Sequence, residues 1–149
     1  MNALMIAYRP AVGADRNWLW ELKCATMREY VAAVYGWDHE TQREMFEQKF
    51  DPSGIRIIQV DGRDVGMLEF EERAADFFLS RIEILPASQK GGIGSAVISA
   101  VVAEAHEKKK TVRLQVLRSN PARRLYERLG FQLEAETTAH FKLKKEPIE

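Results

Sequence analysis

The sequence is sparing with the residues that mark several protein classes. Cys24 is the one cysteine in 149 residues. It permits no internal disulfide, excludes an all-cysteine zinc site and fits a reducing compartment, so a cytoplasmic location is expected. There is no surplus of charge, because 22 Lys and Arg residues meet 22 Asp and Glu residues. General nucleic-acid binders and proteins held on anionic membranes usually carry a basic excess, so neither partner is expected. Long apolar runs are missing: the longest, near Ala96 to Ala103, contains Ser99 and falls far short of the roughly twenty residues that a bilayer span needs. The opening MNALMIAYRP has no basic segment before its apolar residues and meets Arg9 early, so it reads as a strand rather than a signal peptide. His39, His106 and His140 lack metal-ligand spacing, and no metal is expected.

What is present is apolar residues, at 46% of the chain. That is too many for a disordered polymer, and a chain of this length buries roughly two-thirds of its unfolded surface. There is no internal repeat, low-complexity tract or linker-like stretch, so residues 1–149 are expected to form one domain.

The local signals predict a short strand over Leu4 to Tyr8 and a helix from about Arg16 to Tyr35, with Asp15 as its N-cap and Gly36 as its stop. A second helix is expected from Glu40 to Phe50. Three strands follow: Ile55 to Val60, a hairpin turn at Asp61-Gly62, then Val65 to Glu71 and Phe77 to Leu85. Gly92 to Lys109 reads as a mostly buried helix ending in three lysines. Val112 to Leu117 alternates as a strand, Asn120-Pro121 opens a short helix that Gly130 closes, and Phe131 to Ala135 with Ala139 to Leu143 suits a closing hairpin. The order β-α-α-β-β-β-α-β-α-β-β predicts an α+β (α/β) fold. Its central sheet is mixed and mostly antiparallel, of about six or seven strands with one parallel crossover pair, and about four helices cover both faces.

Phe77 to Ala105 is the most informative segment. After Leu85-Pro86, the string Gln89-Lys90-Gly91-Gly92-Ile93-Gly94 opens a helix. Three glycines there cost helix stability, which makes sense if the backbone must approach a ligand closely. Free N–H groups and the helix dipole make an anion site, and the first turn carries no Asp or Glu to neutralise it. The string is not a P-loop, and Val97 stands where a dinucleotide fingerprint needs its third glycine. A tight strand-to-helix turn that uses glycines for geometry alone is the plainer reading.

Gln89-Lys90-Gly91-Gly92-Ile93-Gly94 resembles the Q/R-x-x-G-x-G/A signature of the GNAT-superfamily N-acyltransferases, and Ile84-Leu85-Pro86 resembles the end of that family's fourth strand. Asn120 to Phe131 is similar to the family's N…LY-x-x-x-GF segment, at the expected distance downstream. The resemblance covers about residues 65 to 145. It implies that Gln89, Lys90, Gly91, Gly92, Ile93, Gly94 and Ser95 hold the pyrophosphate of acetyl-CoA, the co-substrate. It further implies that Ile82, Ile84 and Leu85 hold the pantetheine arm through their main chain, and that Asn120 lies near the cofactor. Tyr126 matches the tyrosine that acts as general acid on the leaving thiolate; packing its ring in the core is the plainer role.

Some members of that family carry a glutamate on the fifth strand, where this chain has Gln115, which cannot take a proton. Glu83 is then the first candidate for the base, with an ion pair to Arg81 as its structural alternative; Glu69 and Glu71 come next. Aromatics from Trp18 to Trp37 either wall an acceptor site or fill core, and Arg28, Glu29 and Glu69 are candidate acceptor contacts. The implied activity is acetyl transfer from acetyl-CoA to a primary amine by direct attack, in a monomer or homodimer. A catalytically silent acyl-CoA-binding or sensing domain is the alternative.

Overall fold

The computed structural model describes residues 5–148. Among the described residues seven strands make one sheet in the order β1-β2-β3-β4-β5-β7-β6. They are β1 (Ile6–Pro10), β2 (Ile55–Val60), β3 (Arg63–Glu72), β4 (Asp76–Ile84), β5 (Thr111–Leu117), β6 (Gln132–Glu136) and β7 (His140–Lys145). Leu4, the expected start of the first strand, lies outside the described residues. The helices are α1 (Arg16–Tyr35), α2 (His39–Lys49), α3 (Ile93–Glu107) and α4 (Arg123–Arg128). The element order is the expected one, and β4 with β5 is the parallel pair in an otherwise antiparallel sheet. Among the described residues no helix is long and apolar enough to cross a membrane.

Local chemistry accounts for most of the boundaries. Asp61 and Gly62 both take positive φ, 51° and 79°, which is the geometry of the tightest hairpin turns and joins β2 to β3. Gly36, at φ 80°, ends α1 and donates its N–H to the Ala32 carbonyl. Asp38 caps α2 by accepting the Thr41 N–H at 3.0 Å.

Two expectations at helix ends are corrected. Asp15 does not cap α1 with its side chain. Its carboxylate instead accepts the Val12 N–H at 2.8 Å and grips the Arg9 guanidinium at 2.9 and 3.0 Å, closing the preceding turn. The three lysines lie beyond α3, because the chain turns at Lys109, with φ 58°. Lys108 and Lys110 clamp Glu72 at 2.7 and 3.0 Å.

The period-two alternation of the strands divides the apolar residues between two cores. Ile57 and Met67 join Leu19, Trp20, Leu22 and Phe46 on the face covered by α1 and α2. Ile58 and Leu68 join Phe77, Val97, Val101 and Leu114 on the face covered by α3 and α4. Trp37 folds back to stack on Trp20 at 6.1 Å, which gives the Tyr35-Gly36-Trp37-Asp38 loop its partner. Of the aromatic run, Trp18, Trp20 and Trp37 belong to the core, while Tyr35 is exposed.

One irregularity in the sheet positions everything that follows. The β3–β4 register passes from Glu69↔Arg81 to Phe70↔Leu79, leaving Ser80 unopposed as a bulge. On the other side, β4 pairs with β5 only from Asp76↔Thr111 to Leu79↔Leu114. A bulge bends and twists its strand, so β4 leaves β5 at the point where its own ladder slips. Beyond Leu79 the two strands diverge.

Gly66 supports the diverging end of β4. It lies opposite Ile84, and a Cβ there would overlap the Glu83 carbonyl oxygen and press on the Ile84 Cα at 3.2 Å. The obstruction is backbone, which cannot swing aside. Gly66→Ala should therefore cost about 1–3 kcal/mol in denaturant melts, the usual range for overpacking. An unchanged midpoint would show that β4 is not held this closely.

Candidate active site

The divergence leaves main-chain groups of β4 without a sheet partner. Leu85 donates its N–H to the Val65 carbonyl at 2.8 Å. In an antiparallel ladder the groups facing one neighbour alternate, so Leu85, Glu83 and Arg81 direct theirs to β3. Ile82 and Ile84 direct theirs into the gap. Leu85 is thus a correction: its N–H is spent on β3 and offers no donor to the cleft. The Ile84 carbonyl accepts the Gln89 side-chain amide at 2.9 Å, which pins the following loop to the end of the strand.

That loop, a 3-10 turn over Pro86–Gly91, delivers Gly92 in the left-handed region at φ 81° and ψ 8°. Gly92 is the residue before α3, and no side chain caps the helix there. The first turn, through Ile93, Gly94 and Ser95, carries no acid. Its N–H groups and the positive end of the helix dipole favour an anion. A Cβ at Gly91 or Gly92 would meet nothing within 4 Å, so the front of the turn is open. Lys90 is exposed on the same turn.

Two cavities flank the parted strands. The first, of about 320 Å³, lies between Met27 and Tyr30 of α1, Ile84 of β4 and Gly94 and Ile98 of α3. The second, of about 570 Å³, is lined by Lys23, Arg81, Gln115 and His140 among others, and by no residue of the Gly92 turn. Met27, Ile82, Glu83, Asn120 and Tyr126 line both, so Glu83 and Tyr126 stand at the junction.

Tyr126 is 7% exposed and packs edge-on against Phe131 at 5.6 Å. Burial pushes its phenol up to about 12, so the hydroxyl keeps its proton at neutral pH. Glu83 is 6% exposed. Burial raises its carboxyl above the ordinary value, against the opposing pull of Arg81 and Lys23. The alternative for Glu83, a direct ion pair with Arg81, is not formed: the Arg81 Nε donates to Glu69 Oε1 at 3.0 Å instead. Glu69 lines a third, adjoining cavity with Lys23 and Lys49, and Glu71 is exposed. Gln115 is exposed on the cleft wall, opposite Lys142 of β7.

Asn120 accepts the Ala122 N–H on its Oδ1 at 2.9 Å, which shapes the entry into α4. The neighbouring Ser119 hydroxyl donates to the Tyr30 carbonyl at 2.6 Å and ties the end of β5 to α1. Arg123 stacks on Phe141 at 3.9 Å and pairs with Glu127 at 3.0 Å.

The expected acceptor contacts on α1 are corrected. Arg28 and Glu29 are exposed and line none of the cavities beside the cleft, and Arg28 lies over the Trp37 ring at 5.7 Å. The cleft takes Lys23, Met27 and Tyr30 instead, residues four and three apart on one helical face. Sequence reasoning missed Lys23. Its signal was the spacing to Met27 and Tyr30, and burial presses its ammonium below the ordinary value. Among the described residues no group of three or more His, Cys, Asp or Glu side chains is arranged to hold a metal ion.

Residues 51–133, more than half of the chain, match the family model described as the acetyltransferase (GNAT) domain. No curated protein matches by sequence. Solved structures match across nearly the whole chain. The PaiA N-acetyltransferase of Thermoplasma acidophilum, solved in complex with coenzyme A, is 18% identical with a TM-score of 0.77, over 95% of this chain and 98% of that one. An acetyltransferase of Thermus thermophilus gives 18% and 0.73, over 98% and 99%. The ribosomal-protein-S18-alanine N-acetyltransferase of Escherichia coli gives 17% and 0.69, over 97% and 96%. At these identities the likeness is one of fold.

The raised Glu83 carboxyl has a consequence for stability. The folded state favours its protonated form, so the stability it contributes is present below the unfolded carboxylate value and is lost as pH rises through the raised one. Glu83→Gln stays neutral throughout. It should melt above the wild type at pH 8, with the gap closing toward pH 4, by calorimetry. A gap of the same size at both pH values would contradict this burial.

Proposed function

Because the chain belongs to the GNAT acetyltransferase family, we propose that it transfers an acetyl group from acetyl-CoA to a primary amine by direct attack, with both bound together. The observation that carries this reading is the parting of β4 and β5 beside the uncapped start of α3, with Glu83 and Tyr126 at the point where the two cavities meet. The reading takes residues 1–149 as one acetyltransferase domain, a monomer or homodimer working in the cytoplasm.

The residues present suit such a donor. The main chain of Ile82 and the N–H of Ile84, whose carbonyl Gln89 already holds, can bind an extended amide-bearing arm as an added strand would. The N–H groups of Gly91 to Ser95 suit a pyrophosphate. Gln89 acts by holding the loop, Lys90 adds positive charge at the rim, and Asn120 walls the passage between the cavities. The donor itself supplies an activated thioester.

Glu83 takes the proton that the amine must lose as it attacks. Its raised carboxyl is a stronger base than an ordinary glutamate and so better matched to neutral pH. Tyr126 faces the departing sulfur. A phenol near 12 is a weaker acid than a thiol of about 8.5. Its contribution is therefore a hydrogen bond donated to the developing thiolate in a dry site, with full transfer of the proton uphill. A silent acyl-CoA-binding role has one feature in its favour, the neutral Gln115 on β5. The buried carboxyl of Glu83 at the same junction weighs against it.

Titration calorimetry should show acetyl-CoA binding to the wild type and none to Gly92→Glu. That change forces a residue with a Cβ to φ 81° and places a carboxylate where the anion is to bind. Normal affinity in the variant would remove the turn from the site. Tyr126→Phe should lower kcat by roughly a hundredfold, the cost of one donor aimed at a developing anion, with acetyl-CoA affinity nearly unchanged. Unaltered turnover would take Tyr126 out of the mechanism.

A further inference from the structure

The larger cavity, on the side of the junction away from the Gly92 turn, has an unbalanced lining. Among the described residues its fixed charges are three cations, Lys23, Lys49 and Arg81, against one carboxyl, Glu83. That carboxyl is held toward its neutral form by burial. The adjoining Glu69 is engaged by the Nε of Arg81, which leaves the outer nitrogens of the guanidinium for another partner. Neither Lys23 nor Lys49 has a carboxylate within 4.0 Å among the described residues. Lys23 is half-buried, and its ammonium is disfavoured by that burial. A half-buried cation without a partner costs free energy that a bound anion would recover. The chain as a whole is neutral, so this local excess does not follow from composition.

We propose that the acceptor is a small amine that also carries an anionic group, a carboxylate or a phosphate, held by Lys23, Lys49 and Arg81 while its nitrogen points to the junction at Glu83. The proposal rests on the acetyltransferase reading and deepens it. A cavity of about 570 Å³ suits a small molecule. A planar carboxylate and two oxygens of a tetrahedral phosphate both match an arginine fork flanked by ammonium groups. A polycationic amine would meet like charge on three sides and find only one buried carboxyl in return.

The test uses four amines of matched length: a diamine, an amino alcohol, an amino carboxylate and an amino phosphonate. Each is assayed with acetyl-CoA by thiol release and titrated calorimetrically into protein loaded with CoA. The two anionic amines should exceed the diamine in kcat/KM and in affinity by about tenfold or more, the worth of one charge-assisted contact. Their mutual ranking separates a carboxylate from a phosphate source. Lys23→Gln should raise KM for the anionic amines by about tenfold more than it does for the amino alcohol. Lys49→Glu, an exposed change, should shift the ranking toward the diamine. A diamine that binds and reacts as well as the anionic amines, or anionic amines that do not bind, would overturn the proposal. Absence of turnover with all four would count against the acetyltransferase reading, and the calorimetric ranking would still decide the charge preference.

Discussion

Strand pairing between β4 and β5 stops at Leu79 and Leu114, at the place where Ser80 bulges out of the β3–β4 ladder. A parallel pair that ran its full length would satisfy every main-chain group and leave no cleft. Here the bulge twists β4 away, and the main chain of Ile82 with the N–H of Ile84 is left facing the gap. The cost of parting is contained by neighbours. Gly66 lets β3 press close behind the diverging end, Gln89 takes the Ile84 carbonyl, and Ser119 ties the end of β5 to α1. The gap is therefore a fixed feature of the sheet.

Once the strands part, α1 and α4 roof a space of low dielectric, and the side chains in it change character. The same burial raises the Tyr126 phenol, raises the Glu83 carboxyl and lowers the Lys23 ammonium. In each case the charged form is the one disfavoured. A phenol that keeps its proton and a carboxyl that holds one more firmly than usual stand at a single junction. The turn at Gly92, where we propose the anion binds, works on the opposite principle. It faces open solvent, uses dipoles and N–H groups instead of ionised side chains, and leaves the residue charge count at zero.

The sequence was most readable where structure is local. The span of α1, the hairpin at Asp61-Gly62 and the stop at Gly36 follow from caps, positive φ and spacing. The glycine turn before α3 was readable because a run of glycines at a helix start has few other uses. The face that α1 turns to the cleft was not. Apolar residues lie around much of that helix, so its phase is ambiguous, and Arg28 and Glu29 were chosen where Lys23, Met27 and Tyr30 are the lining residues. The Arg81–Glu83 pairing was a reasonable reading of two residues on one strand face. It gave way to Arg81–Glu69 because the partner across the ladder is nearer than the one two residues along.

Composition and motif by themselves determined the order of elements, the mixed sheet with its parallel pair, the glycine turn at Gly92 and the candidacy of Tyr126 and Glu83. Each depends on interactions within a few residues, or on a periodicity that any fold must respect. Only the tertiary structure decided where β4 and β5 part, which of Ile82, Ile84 and Leu85 have free main chain, and which charges share a cavity. Those outcomes come from strand register and helix phase, set by contacts far apart in the chain. Helix phase is what turns Lys23 toward the cavity and leaves Arg28 exposed.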